Sequence, residues 1–144
     1  MAKSIQVTID CADPAKLGDF WAVALDYRQP DPPGDFDTWP DFLRAQGVPE
    51  SEFNSANALE DPDGVGPRIF FQRVPEPKSG KNRLHVDVNA GGPRGTPEEE
   101  RAARVGETVE RLVAAGATKV EERSQRGERW VVMLDPEGNE FCVQ

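Results

Sequence analysis

The side chains with chemical reach in this sequence are few, and they fall on short alternating segments. Its only histidine, His85, is followed two residues later by Asp87, and in an extended segment positions i and i+2 project from the same face. An imidazole beside a carboxylate can hold a ligand by hydrogen bonds, act as a general base tuned by the acid, or bind a metal ion. A lone histidine more often serves as a hydrogen-bonded structural or pocket residue, here with Asp87 or Gln6 as partner, so the binding role is favoured over the catalytic one. The two cysteines, Cys11 and Cys142, lie far apart without CxxC spacing, and are read as two reduced thiols.

The elements that must position these groups follow from periodicity. Ile5, Val7 and Ile9 alternate with Gln6, Thr8 and Asp10, which predicts a half-buried strand. Asp13-Pro14 then caps a helix whose stripe is Leu17, Phe20, Trp21, Ala24 and Leu25. After a Pro/Gly-rich loop over 29–37, with a short strand at its start, Thr38-Trp39-Pro40-Asp41 opens a short lid or flank helix with Trp39, Phe42 and Leu43 apolar. Strands are expected at 57–60 and 68–74, around the turn Asp61-Pro62-Asp63-Gly64. Leu84, Val86 and Val88 alternate with His85, Asp87 and Asn89 in a strand over 83–89, and Thr96-Pro97 caps a helix with the stripe Val105, Val109, Leu112 and Val113. Strands at 118–122, 130–134 and 140–143 complete the chain, the last two joined by Asp135-Pro136-Glu137-Gly138.

These elements repeat. Residues 4–10 overlay 83–89, a proline-opened helix follows each, and Arg68-Ile69-Phe70-Phe71-Gln72 overlays Glu140-Phe141-Cys142-Val143-Gln144 after a DPxG turn. The pattern predicts one α+β domain over 1–144, built from two βαβββ modules, about 1–76 and about 82–144, in a curved mixed sheet that encloses a cup, with helices on the outer face. Strand parity places Gln6, Thr8, Phe70, Gln72, His85, Asp87, Trp130, Val132, Glu140, Cys142 and Gln144 toward the cup. Trp130 supplies an aromatic wall, or else fills a core or a dimer contact. Lys81 and Arg83 are candidates to bind an anionic ligand group near the cup rim, although solvated surface is the commoner fate of such residues, and Cys11 belongs to the helix-covered face.

Composition narrows the partners. A formal charge of -9 repels phosphate backbones and anionic lipid, so neither nucleic acid nor membrane is an expected partner. No leader-like or membrane-length apolar run is present, and the expected location is the cytoplasm.

Three stretches together carry a family resemblance: Asp10-Cys11-Ala12-Asp13-Pro14 with Phe20-Trp21, the run 71–76 with Lys81-Asn82-Arg83-Leu84-His85-Val86-Asp87, and the ending Asp135-Pro136-Glu137-Gly138-Asn139-Glu140-Phe141. In their order and spacing the chain resembles the glyoxalase/bleomycin-resistance/dioxygenase (vicinal oxygen chelate) superfamily, in its glyoxalase-like branch. The resemblance implies a homodimer, and in metal-dependent relatives four inward ligands, which fall here on Gln6, Phe70, His85 and Cys142. Phe70 has no donor atom and Cys142 replaces a carboxylate, so no metal or other cofactor is favoured. A divalent ion would have to use Gln6, His85 and Cys142, with Gln72 as a further donor.

The reading favoured by the residues is a small-molecule-binding protein without the family's usual metal site. A lyase or isomerase of glyoxalase type, dependent on a metal or assisted by His85 as the catalytic base, is the alternative. A cup filled by its own side chains, serving as an interaction module, is the third.

Overall fold

The computed structural model describes residues 1–144, and the backbone divides into two compact units, residues 1–22 with 26–77 and residues 23–25 with 78–144. Three α-helices and seven strands form the mixed α+β fold that the sequence pattern predicts, with the strands in two open mixed sheets of three and four.

In the first unit, β1 (Gln6–Cys11) runs parallel to β3 (Arg68–Arg73), and β2 (Ala56–Leu59) lies antiparallel on the other side of β3. Alternation sorts the faces, burying Cys11, Leu59, Ile69 and Phe71 while Gln6, Thr8 and Gln72 stay exposed. The helix α1 (Pro14–Leu25) starts where the Asp13 carboxylate accepts the Lys16 N–H, with proline in its first turn. A Cβ on Gly18 would come within 2.3 Å of the Asn57 amide and 3.8 Å of the Phe71 ring. Glycine there seats α1 directly on β2 and β3, with Leu17 fully buried.

Two expectations change here. Ile5, assigned to the buried face, is 71% exposed because the ladder begins only at Gln6. The strand expected at the start of the loop after α1 is reduced to a single bridge between Arg28 and Glu60, since Pro30, Pro32 and Pro33 offer no N–H to extend it. The short helix α2 (Trp39–Ala45) is capped as its sequence requires, Thr38 Oγ1 accepting the Asp41 N–H and donating to the Asp41 carboxylate.

In the second unit, the strands stand in the order β4 (Asp87–Val88), β7 (Glu140–Val143), β6 (Glu128–Leu134), β5 (Thr118–Gln125), with only the first pair parallel. Val88, Val131, Met133, Phe141 and Val143 are buried, as are Val109 and Leu112 of α3 (Glu98–Ala114).

The strand expected over 83–89 contracts to two residues, because only the Val86 and Val88 carbonyls accept N–H groups from the β7 segment. Leu84 consequently lies outside the ladder and is 89% exposed, not buried. Thr96 does not cap α3 either. Its hydroxyl donates to the Pro93 carbonyl, and Glu98, Glu99 and Glu100 favour the first turn by charge instead. Val113, expected in the buried stripe, is 46% exposed.

The two DPxG turns are built alike. The Asp61 carboxylate accepts the Asp63, Val65 and Gly66 N–H groups, and that of Asp135 accepts those of Glu137 and Asn139. Gly64 and Gly138 hold positive φ in both. No helix is long and apolar enough to cross a membrane.

Candidate functional site

In the second unit, the face opposite the buried one carries the reactive residues. The register pairs Asp87 with Cys142, Cys142 with Val132, and Val132 with Glu121, so the four side chains form one row across the sheet. Trp130 stands one step along β6 on the same face, opposite Arg123. His85 precedes β4 by two residues, and its Nε2 lies 3.4 Å from Asp87 Oδ1.

The structure thus brings together His85, Asp87 and Cys142, whose nitrogen, oxygen and sulfur lie within 4.8 Å of one another. Burial pushes the Cys142 thiol up, and the Asp87 charge and the hydrogen bond that the thiol donates to it push further, against a weaker downward pull from Lys81 and Arg123. At neutral pH the sulfur is a protonated donor to Asp87, not a nucleophilic thiolate. A cation entering the cluster would have to displace that proton.

The corresponding positions of the first unit are poorer in donors. Thr8 faces Phe70 across β1 and β3, and Gln72 lies one step further, opposite Asp10 and Ala56. Gln6 is already engaged, its Oε1 accepting from the Arg68 guanidinium at 2.6 Å, while that guanidinium also sits 5.4 Å from the Phe70 ring centre. Cys11 is buried and directs its thiol at the Gln72 carbonyl, 3.7 Å away.

What the first unit has instead is a cavity of about 260 Å³ between α2 and the sheet, walled by Trp39, Leu43, Phe53, Ala58 and Phe70, with Arg68 at its edge. The wall is held in place. Trp39 Nε1 donates to the Pro30 carbonyl at 2.8 Å and its ring meets Phe42 edge to face. Arg44 reaches Asp41 and Glu50 and covers the Phe53 ring at 5.4 Å. Of the residues singled out from sequence, only Phe70 lines this cavity. Trp39, Leu43 and Phe53 were missed as site residues, although the apolar stripe of α2 was the signal, since a short helix with Trp, Phe and Leu on one side must face something.

A family model, the glyoxalase-like domain, matches residues 6–144 of this chain. The chain belongs to that family. No curated protein matches the sequence. Among solved structures, the fosfomycin resistance protein FosX of Listeria monocytogenes, a mutant complexed with Mn(II) and 1S,2S-dihydroxypropylphosphonic acid, is similar over 100% of this chain and 90% of its own, with TM-score 0.64 and 13% identity. A glyoxalase/bleomycin resistance protein/dioxygenase family enzyme of Burkholderia phytofirmans is similar over 96% and 94%, with TM-score 0.60 and 18% identity. A glyoxalase-related enzyme of Fulvimarina pelagi is similar over 99% and 87%, with TM-score 0.62 and 13% identity. At such identities the likeness is one of fold.

For this glyoxalase-like chain the metal question separates by unit. In the first, Gln6 is tied to Arg68 and Phe70 offers no donor. In the second, a carboxylate does stand beside the sulfur and the imidazole, supplied by Asp87, which the ligand set read from sequence had omitted. The β4–β7 register is what makes it a neighbour of Cys142.

Proposed function

We propose that this glyoxalase-like protein binds a small, flat, anionic organic molecule in the aromatic cavity of its first unit, and that it does so without a metal. The observation that carries this reading is the wall of Trp39, Phe53 and Phe70 with Arg68 at its edge. Aromatic faces suit a planar ligand, and a guanidinium presents paired donors to a carboxylate. Arg68 is kept in place by Gln6 and by the Phe70 ring, so little side-chain freedom is lost on binding. Thr8, beside Phe70, and Gln72, one step along β3, supply polar groups at the margin of the same face.

Calorimetric titration with naphthoate tests the proposal. Saturable binding is expected, weakened about tenfold or more by Arg68→Gln, which removes a charge-assisted contact, and abolished by Phe70→Asp. Absence of binding by naphthoate and by smaller aromatic carboxylates would remove the reading. The protein is taken to work in the cytoplasm, and as a homodimer because the family resemblance implies one; sedimentation velocity checks the dimer.

The second reading is a metal-dependent lyase or isomerase, and the His85, Asp87 and Cys142 cluster favours it. One nitrogen, one oxygen and one sulfur donor suit a borderline ion such as zinc. Such an ion would act there as a Lewis acid on a substrate oxygen, with Val132 and Trp130 on the same face as apolar contacts for substrate. The relative FosX was solved with Mn(II), whereas the sulfur here suits a softer metal. Stoichiometric zinc, lost in Cys142→Ala, together with turnover of a hemithioacetal, would establish this reading over the first.

A further inference from the structure

The second unit contains a larger cavity, about 530 Å³, between α3 and the sheet. It shares no lining residue with the cavity of the first unit, and its volume lies within the roughly 300–1,000 Å³ typical of small-molecule sites. Ala102, Val105, Gly106, Val109 and Val113 of α3 form one wall, and Val131 lies opposite on β6. The α3 wall is aliphatic and runs along the helix axis, Trp130 of β6 adds one aromatic face, and charged side chains border the cavity.

Two details indicate what fits. Gly106 sits in the middle of a 17-residue helix, where glycine is among the least favourable residues. A Cβ on Gly106 would meet nothing within 4 Å, so no close packing inside the chain accounts for it. Its absent side chain leaves the helix backbone open to an occupant. The second detail is charge. Of the cations bordering the cavity, Lys119 is paired with Glu122, and Arg129 reaches Glu122 and Glu98. The half-buried Arg101 guanidinium has neither a hydrogen bond nor an ion pair. Glu110, the other unpaired charge on the wall, stands nine positions further along α3, about 13 Å by helix rise. One end of the cavity therefore offers a free cation, and an aliphatic channel leads away from it.

We infer that this cavity is a binding site for a straight-chain aliphatic carboxylate, its head on Arg101 and its chain along Ala102, Gly106 and Val113. The headgroup makes a charge-assisted pair with the guanidinium, and the chain leaves water against the exposed valine.

Titration with decanoate below its micellar concentration, read by calorimetry and by methyl NMR shifts of Val105 and Val113, tests the site. Saturable binding is expected, with both valines shifting. Gly106→Leu fills the channel from the helix side, and because leucine favours the helix, the variant should melt higher while losing decanoate binding at least tenfold. Arg101→Gln should weaken decanoate about tenfold but leave decanol unaffected, since only the charged contact is removed. Naphthoate binding should be unchanged in both variants, which separates this site from the one proposed above. Absence of decanoate binding by the wild type would overturn the inference, as would full binding by Gly106→Leu. Self-association that Gly106→Leu abolishes and decanoate fails to compete with would overturn it too, by giving the cavity to a second copy of the chain.

Discussion

The two units place the same backbone pattern under different chemistry. In the first, the parallel pair β1 and β3 sets Thr8 against Phe70; in the second, the parallel pair β4 and β7 sets Asp87 against Cys142. These positions coincide when the repeats are overlaid, as do Gln6 and His85. The first unit has closed its polar positions, binding Gln6 to Arg68 and stacking Arg68 on Phe70, and has gained an aromatic cavity under α2. The second has kept imidazole, carboxylate and thiol within reach of one another. Backbone register is thus maintained by the buried faces, while the opposite faces are free to diverge, because the period of two decouples them.

The comparison can be tested first at the buried faces, where the units are alike. Phe71 and Phe141 are both fully buried, and Phe71→Ala and Phe141→Ala should each cost about 3–5 kcal/mol in urea denaturation. A small loss for one and a large loss for the other would show that the two cores are not built alike. The turns come next. Asp135 is 3% exposed and its carboxylate also holds the Asn139 side chain, so Asp135→Ala should cost about 2 kcal/mol by leaving buried donors unmatched. Asp61→Ala, in the exposed turn, should cost clearly less; equal losses would contradict the difference in burial.

The two thiols sharpen the contrast at the open faces. Cys11 is buried and should resist alkylation in the folded protein. Cys142 is partly accessible but held protonated by burial and by Asp87, so iodoacetamide should modify it slowly at neutral pH. Asp87→Asn removes the neighbouring charge, lowers the thiol toward its ordinary value and should speed alkylation several-fold. An unchanged rate would show that Asp87 does not govern this sulfur.

The smallest effect concerns acid. The Asn54 side chain, and then the Lys16 N–H, hold the Asp13 carboxyl below its ordinary value of 3.8. A depressed folded value means that the contribution is complete above pH 3.8 and is lost as the pH falls through the lower folded value. Asp13→Ala should therefore cost about 1 kcal/mol at neutral pH, and its melting temperature should approach that of the wild type as the pH falls below the ordinary value and the carboxyl takes up its proton. A gap that persists at low pH would exclude the ionised cap as its source.

Much of this was legible in the residues. Proline and aspartate fixed the start of α1, the threonine cap that of α2, and the DPxG turn with its alternating residues placed β7 at Glu140–Val143. Local chemistry was enough there. The failures are tertiary. The alternation over 83–89 reads as a strand, but β7 provides partners only for the last part, and Leu84 is left in solvent. Thr96 has the right spacing for a cap, yet a proline carbonyl three residues back competes for its hydroxyl. Parity put Asp87 and Cys142 on one face, but only the register made them neighbours. The α2 cavity depends on where Trp39 and Phe53 land over β2, which no local pattern specifies.

The account's central claim is that ligand binding belongs to the first unit and does not require the cluster in the second. Naphthoate titration of protein stripped of metal by chelation, repeated with His85→Ala and Phe70→Asp, tests this most directly. The account predicts equal affinity before and after chelation and in His85→Ala, with no binding in Phe70→Asp. Binding that vanishes on chelation or in His85→Ala, yet survives Phe70→Asp, would contradict it.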